Sequence, residues 1–168
     1  MKKAEPTTLI LDSQSVKNSA TATAQVGFDG GKLIKGRKRF VLSDTSGATV
    51  ATRVLPANKH DGQSALAWWA SLVHHPLLGQ VKRVIIDGGF RGECVKKMAK
   101  LYGIEVKVPQ EVVRQAGNFR VHATRWVIER SISWMTNNRR LARCYERKTG
   151  NEESFILLCN IRRIVRKC

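Results

Sequence analysis

The sequence predicts an α/β fold, a mixed five-stranded sheet flanked by helices, built from a single domain over residues 1–168. Two observations predict it. Short β-branched and aliphatic runs open the chain and then alternate with helical segments, the order expected of a mixed sheet with helices on both faces. Hydrophobic residues make up 42% of the chain and are spread along its length, enough for one real core.

The elements follow in order. Thr7–Leu11 reads as a strand ending at Asp12. Asn18–Gly36, small, polar and rich in glycine, reads as a long mobile connection. Arg37–Ser43 and Ala48–Leu55, joined by Asp44-Thr45-Ser46-Gly47, make a β-hairpin. A helix begins at His60-Asp61-Gly62, with Asp61 placed to cap it or to favour its N-terminus, and presents Leu66, Trp69, Ala70 and Val73 on one face. Val81–Ile86 is a strand ending in Asp87-Gly88-Gly89, Glu93–Tyr102 a helix stopped by Gly103, and Ile104–Val108 a strand closed by Pro109. After a loop over Glu111–Arg120 come two helices, His122–Arg143 and Glu152–Val165.

Charge narrows the function. Thirty Lys and Arg oppose 13 Asp and Glu, a formal net charge of +17. Solubility needs far less, and self-repulsion of this size is costly unless a polyanion is the usual partner. The excess lies late in the chain: 20 of the basic residues fall from Lys82 onward. Nucleic acid is therefore the expected partner. The longest weakly polar run, Ala65–Val73, is too short for a membrane span, and Asp12 interrupts the apolar stretch that follows Met1-Lys2-Lys3. A cytoplasmic, nucleoid-associated protein is expected. Cysteines 94, 144, 159 and 168 lack the paired spacing of a zinc or redox site and read as reduced thiols.

Two acids stand where chemistry is commonly placed in such folds. Asp12 and Asp87 each close an apolar strand, and groups at the carboxyl ends of strands line the crevice of open α/β sheets. Asp is also a common turn-former, so the pair alone is only suggestive. A third acid comes from the long helix. At about 100° per residue, His122, Arg125, Glu129, Ser133, Thr136, Arg140 and Arg143 share one face, with Val127, Ile128, Trp134, Met135 and Leu141 largely across from them. Glu129 is the one acid on that basic stripe. An i,i+4 pair with Arg125 would account for the acid but not for the other cations. A stripe that holds phosphates and presents one carboxylate accounts for more. Phosphodiester chemistry needs a strong nucleophile and charge relief on the leaving oxygen, and two Mg²⁺ ions held by a few carboxylates supply both.

The segments "LDSQSVK", "NKHDG", "IIDGGFRG" and "RWVIERSISWMTNNRRLARCYER", in this order over nearly the whole chain, closely resemble the DDE transposases of bacterial insertion sequences. The resemblance implies an RNase H-like catalytic fold. It implies a catalytic and metal-binding triad of Asp12, Asp87 and Glu129, with two Mg²⁺ ions for which Mn²⁺ can substitute. It also implies cleavage at terminal inverted repeats, joining of the 3′ ends to target DNA, and a homodimer working on that DNA. In the family signature the Glu is accompanied by Tyr, Arg and Lys. Here Arg125 matches, His122 replaces the Tyr and Thr136 replaces the Lys, leaving Arg139 or Arg140 to take over a phosphate contact. Arg143 and Lys17 complete the expected DNA-binding set. Trp134 is expected in the core. Such transposases usually carry a DNA-binding region before the first Asp, and Asp12 lies near the start of this sequence. The expectation is therefore a catalytic portion, the downstream half of a split or frameshifted reading frame that works with a separate N-terminal transposase portion, or a decayed copy. An RNase H-like nuclease with other substrates, or a non-catalytic basic DNA-binding protein, would use the same charges differently.

Overall fold

The computed structural model describes residues 6–72, 74–90, 92–108 and 123–166, with backbone alone at 77 and 123–125. The loop expected over Glu111–Arg120 and His122 lie outside the described residues. The elements are β1 (Thr8–Lys17), β2 (Gly27–Asp29), β3 (Ile34–Asp44), β4 (Thr49–Pro56), α1 (Asp61–Leu72), β5 (Arg83–Ile86), α2 (Glu93–Tyr102), β6 (Glu105–Lys107), α3 (Ala123–Thr136) and α4 (Thr149–Val165). They form one mixed sheet in which β3, β1, β5 and β6 lie side by side, and β2 and β4 share the far edge of β3. β1, β5 and β6 run parallel, and β3 runs antiparallel to β1.

Three expectations are corrected here. The sheet has six strands rather than five, because the supposed mobile connection contains β2 and the start of β3. β1 does not end at Asp12 but continues to Lys17, since β3 keeps pairing with it as far as Gly36. What ends there is the parallel partner: the last β1–β5 pair is Leu11 with Ile86. The helix expected to reach Arg143 stops at Thr136. The Asn138 side chain turns back to donate to the Trp134 and Met135 carbonyls, ending the helix, and a 3₁₀ turn follows at Arg139–Leu141.

Strand alternation divides the core in two. Leu9, Leu11, Phe40, Leu42, Val84 and Ile86 face one side, packed with Trp68, Trp69 and Met98 of α1 and α2. Ile10 and Val41 face the other, with partly buried Ile85, against Ile128 and Met135 of α3 and Ile156 of α4. This second face carries the site.

The Asp44–Gly47 hairpin forms as expected. The Asp44 carboxylate accepts from the Ser46 and Ala48 N–H groups, and Gly47 takes φ 87°, open to glycine without strain. Gly36 matters for a different reason. It sits where β3 passes between β1 and β2, and a Cβ there would run into the Val16 carbonyl. Gly36→Ala is expected to cost about 1–3 kcal/mol, as overpacking does, read as a lowered melting temperature in circular dichroism. An unchanged melt would show that β1 and β3 can part without loss.

Candidate active site

The geometry of the site begins with strand register. Because Leu11 pairs with Ile86, the next residues, Asp12 and Asp87, come side by side where β5 stops. Neighbouring strands are about 4.8 Å apart. Asp12 shares the parity of Ile10 and so belongs to the face covered by α3, while Asp87, just past the end of β5, lies near enough for its charge to act on Asp12. Glu129 lies on α3, one residue after the buried Ile128 that anchors the helix to that face. Asp12 and Glu129 line one open cleft of about 400 Å³ together with Ser13, Gln14, Lys32 and Thr136. One oxygen of Asp12 accepts from the Ser13 N–H, and one of Asp87 from the Gly88 N–H, both at 2.7 Å.

The electrostatics tie the three acids together. Burial pushes the Asp12 carboxyl up to about 6. The negative charges of Asp87 and Glu129 push the same way, against the Ser13 N–H and the Lys32 charge. A carboxyl raised in the folded state destabilises the fold wherever it is forced to ionise. The burden is absent below the unfolded value near 3.8, grows as pH rises towards 6 and is complete above it. Asp12→Asn should therefore raise stability at pH 7 by on the order of 2 kcal/mol, and the gain should vanish by pH 4. Chemical denaturation at both pH values checks this. An equal gain at both would remove the electrostatic explanation.

The acids are oxygen donors of the kind a hard dication prefers, and a dication would relieve their mutual repulsion. In kind and charge the set fits Mg²⁺. They do not form a closed ligand cluster: among the described residues, no three His, Cys, Asp or Glu side chains stand together closely enough to hold one ion.

The expected DNA-contacting residues are distributed differently from a single helical stripe, since α3 ends before the last of them. Arg139, Arg140 and Arg143 are exposed on the 3₁₀ turn and the segment after it. Arg140 pairs with Glu146 at 2.7 Å and lies over the Phe155 ring. Lys17 is exposed at the end of β1, where the Cys144 N–H donates to its carbonyl. That bond brings Lys17 and Arg143 to the same edge of the molecule. Arg125 is in α3, with its side chain outside the described set, and His122 lies outside it altogether.

One further expectation is extended and one changes. Asp61 stands in the first turn of α1, as expected of an acid favouring a helix N-terminus. Its carboxylate turns to the sheet, accepting from the Ser13 hydroxyl at 3.1 Å and pairing with Lys38 at 2.9 Å, because Lys38 is a buried cation in need of a partner. Trp134 is only partly buried, with the guanidinium groups of Arg130 and Arg163 at 4.6 and 4.5 Å from its ring centre. Sequence reasoning also missed Lys32, Ser13 and Gln14 as lining residues. The missed signal was Asp29-Gly30, a hairpin-turn dipeptide just ahead of Lys32, hidden in what read as a mobile connection.

Against known proteins, the model of the transposase DDE domain matches residues 3–162. The chain belongs to the transposase DDE domain family. Membership gives it a transposase-type, DNA-processing function. Its fold is shared with solved proteins of low identity. The catalytic core domain of BIV integrase superimposes with a TM-score of 0.54 at 15% identity, over 92% of this chain and 81% of that one. The fold of this DDE domain is therefore RNase H-like, as the resemblance implied. A looser likeness, TM-score 0.48 at 13% identity, is to a chain of the simian T-cell lymphotropic virus intasome in complex with PP2A regulatory subunit B56 gamma. It covers 94% of this chain and 50% of that one. No curated protein matches the sequence. No helix among the described residues is long and apolar enough to cross a membrane.

Proposed function

We propose that this DDE domain cleaves DNA at the terminal inverted repeats of a transposable element and joins the freed 3′ ends to target DNA. Asp12, Asp87 and Glu129 act as its catalytic, metal-holding acids. The observation that carries the reading is the register of β1 and β5. It supports the reading by bringing Asp12 next to Asp87 at the end of β5, while Asp12 shares its cleft with Glu129 of α3.

Two Mg²⁺ ions, or Mn²⁺ in their place, would supply activation of the attacking oxygen and charge relief on the leaving one. The chain's own residues do the rest. Asp12, half-buried and fixed by the Ser13 N–H, offers the least hydrated carboxylate, and a cation gains most by replacing the water it lacks. Asp87 is exposed beside Gly88 and Gly89, where a DNA strand can approach the backbone closely. Lys17, Arg139, Arg140 and Arg143, with Arg125 and His122, bind phosphates and fix the strand's position, which for DNA dominates affinity. An element has two ends, so two copies of the chain acting on one DNA form the expected assembly. The excess positive charge favours residence on the nucleoid.

The test is an end-cleavage and strand-transfer assay on inverted-repeat DNA with Mg²⁺ or Mn²⁺, run with and without a separately supplied N-terminal transposase portion. Metal-dependent nicking at the repeat ends and joined products are expected. Cleavage indifferent to the repeats would point to a general nuclease. Binding with no metal-dependent chemistry would make the domain a DNA-binding module.

A further inference from the structure

We propose that Lys32 is a substrate-contacting residue of this site, its ammonium binding a phosphodiester oxygen of the DNA strand in the cleft, opposite α3. The proposal rests on the DNA-cleaving reading given above.

Position comes first. The cleft has Glu129, Ser133 and Thr136 of α3 on one wall, and Lys32 joins Asp12 among the residues lining it from the sheet side. Lys32 is the one cation among its described lining residues. A site that must hold a polyanion between carboxylates needs positive charge close to the reacting phosphate. The α3 wall supplies none at Thr136. The Thr136 hydroxyl instead donates to the Ser133 carbonyl. A lysine is suited to approach from the other side, being a compact charge on a flexible stem.

The turn that carries Lys32 is built to hold it there. Asp29 Oδ1 accepts from both the Gly31 and Lys32 N–H groups at 3.1 Å. Its other oxygen takes the Ser15 hydroxyl at 2.5 Å and lies 3.8 Å from the buried Lys38 ammonium. The Ser15 hydroxyl, then the Lys32 N–H and the nearby lysines, hold the Asp29 carboxyl below its ordinary value against some burial, so the clasp stays ionised. Ser15 is three residues along β1 from Asp12, so the turn is fastened to the same strand that presents the acid. Leu33, next in sequence, has φ 53° and is 74% exposed. A non-glycine residue in the left-handed region costs about 1–2 kcal/mol, and an exposed leucine recovers little of it through packing. Strain of this kind persists where surrounding bonds fix a conformation, commonly at functional sites. The Lys32 charge also reaches the Asp12 carboxyl, opposing its rise.

The experiment compares Lys32→Gln, Lys32→Arg and Lys97→Gln, the last on α2 across the sheet. Affinity for a repeat-end duplex and for an unrelated duplex of equal length is measured by fluorescence anisotropy in Ca²⁺ over a range of salt. Single-turnover cleavage is measured in Mg²⁺. Lys32→Gln should weaken binding to both duplexes and flatten the salt slope by about one phosphate contact. It should also slow cleavage at saturating DNA by about 100-fold. Lys32→Arg should keep the slope and most of the rate, and Lys97→Gln should behave as wild type. A Lys32→Gln protein with unchanged melting, slope and cleavage rate overturns the proposal. Asp12→Asn separates this from the catalytic reading. If Asp12→Asn abolishes cleavage while Lys32→Gln does not differ from wild type, Lys32 alone is misassigned. If Asp12→Asn cleaves normally, the catalytic reading has failed.

Discussion

Asp87→Asn should lower metal-dependent cleavage of repeat ends by roughly 10³-fold or more, about 4 kcal/mol of transition-state stabilisation, while DNA affinity stays near that of wild type. The reasoning is local. Asp87 follows the last residue of β5 and is exposed, with one oxygen on the Gly88 N–H, a bond that Asn can also accept. The substitution thus removes one negative charge and little structure. Asp12→Asn and Glu129→Gln should cause losses of similar size, and double variants should be little worse than single ones, as expected for residues acting as one unit. The three should differ in stability. Asp12→Asn should gain at neutral pH, because burial pushes the Asp12 carboxyl up, whereas Asp87 and Glu129 are exposed. Single-turnover cleavage, anisotropy and melting on the same preparations decide the matter. Retention of full activity by Asp87→Asn would remove it from the site, and with it the argument from strand register.

How much of this was legible in the sequence can be judged residue by residue. Asp12 and Asp87 were visible because each follows an apolar run, and the alternation along those runs carries real information about facing. Their adjacency was not visible. It depends on β5 pairing parallel to β1 between residues 75 positions apart, Leu11 and Ile86, and on a register that no local pattern encodes. Reading β1 as ended at Asp12 was a local inference too. The polar run Asp12-Ser13-Gln14-Ser15 looks like a loop, yet β3 pairs with all of it, and its hydroxyls find Asp61 and Asp29. The helical stripe failed where a side chain competed with the backbone. Asn137-Asn138 is a stop signal in the sequence, but the continuing basic pattern of Arg139, Arg140 and Arg143 obscured it.

The charge count needed similar correction. A net charge of +17 invites the assumption that every Lys and Arg faces DNA. Arg37, Lys38 and Arg39, consecutive on β3, are all buried instead. Lys38 serves the Asp29–Asp61 side of the sheet, and the two arginines serve the α4 side. Alternation explains the split, and only tertiary structure shows that the acids are there to meet them. The buried Cys144 belongs to the same region. Burial, then the charge of Glu152, pushes its thiol up to about 12, which suits an unreactive structural cysteine.

Glu152→Gln should destabilise the fold by about 3–5 kcal/mol, the cost of removing one partner from a buried ion cluster. For a chain of this size that lowers the melting temperature by roughly 10 °C. Glu152 is 1% exposed and holds Arg37 at 3.0 Å and Arg39 at 2.7 Å, both fully buried. Glutamine keeps the shape but leaves two guanidinium charges in the interior without a counter-charge. Replacing all three residues by apolar ones, often neutral for a buried triad, should not restore stability here. Arg37 also donates to the Ala24, Glu146 and Arg147 carbonyls, and Arg39 to those of Leu141 and Arg143, so these acceptors would lose their donors. The same bonds fasten the segment that carries Arg140 and Arg143 to β3. Glu152→Gln should therefore weaken DNA binding in the folded protein through a loosened loop, although Glu152 lies far too deep to touch DNA. Denaturant melts and anisotropy below the transition check both parts. A melting temperature within about 2 °C of wild type would mean that the arginines are satisfied by backbone carbonyls alone, and that the carboxylate at their centre contributes little.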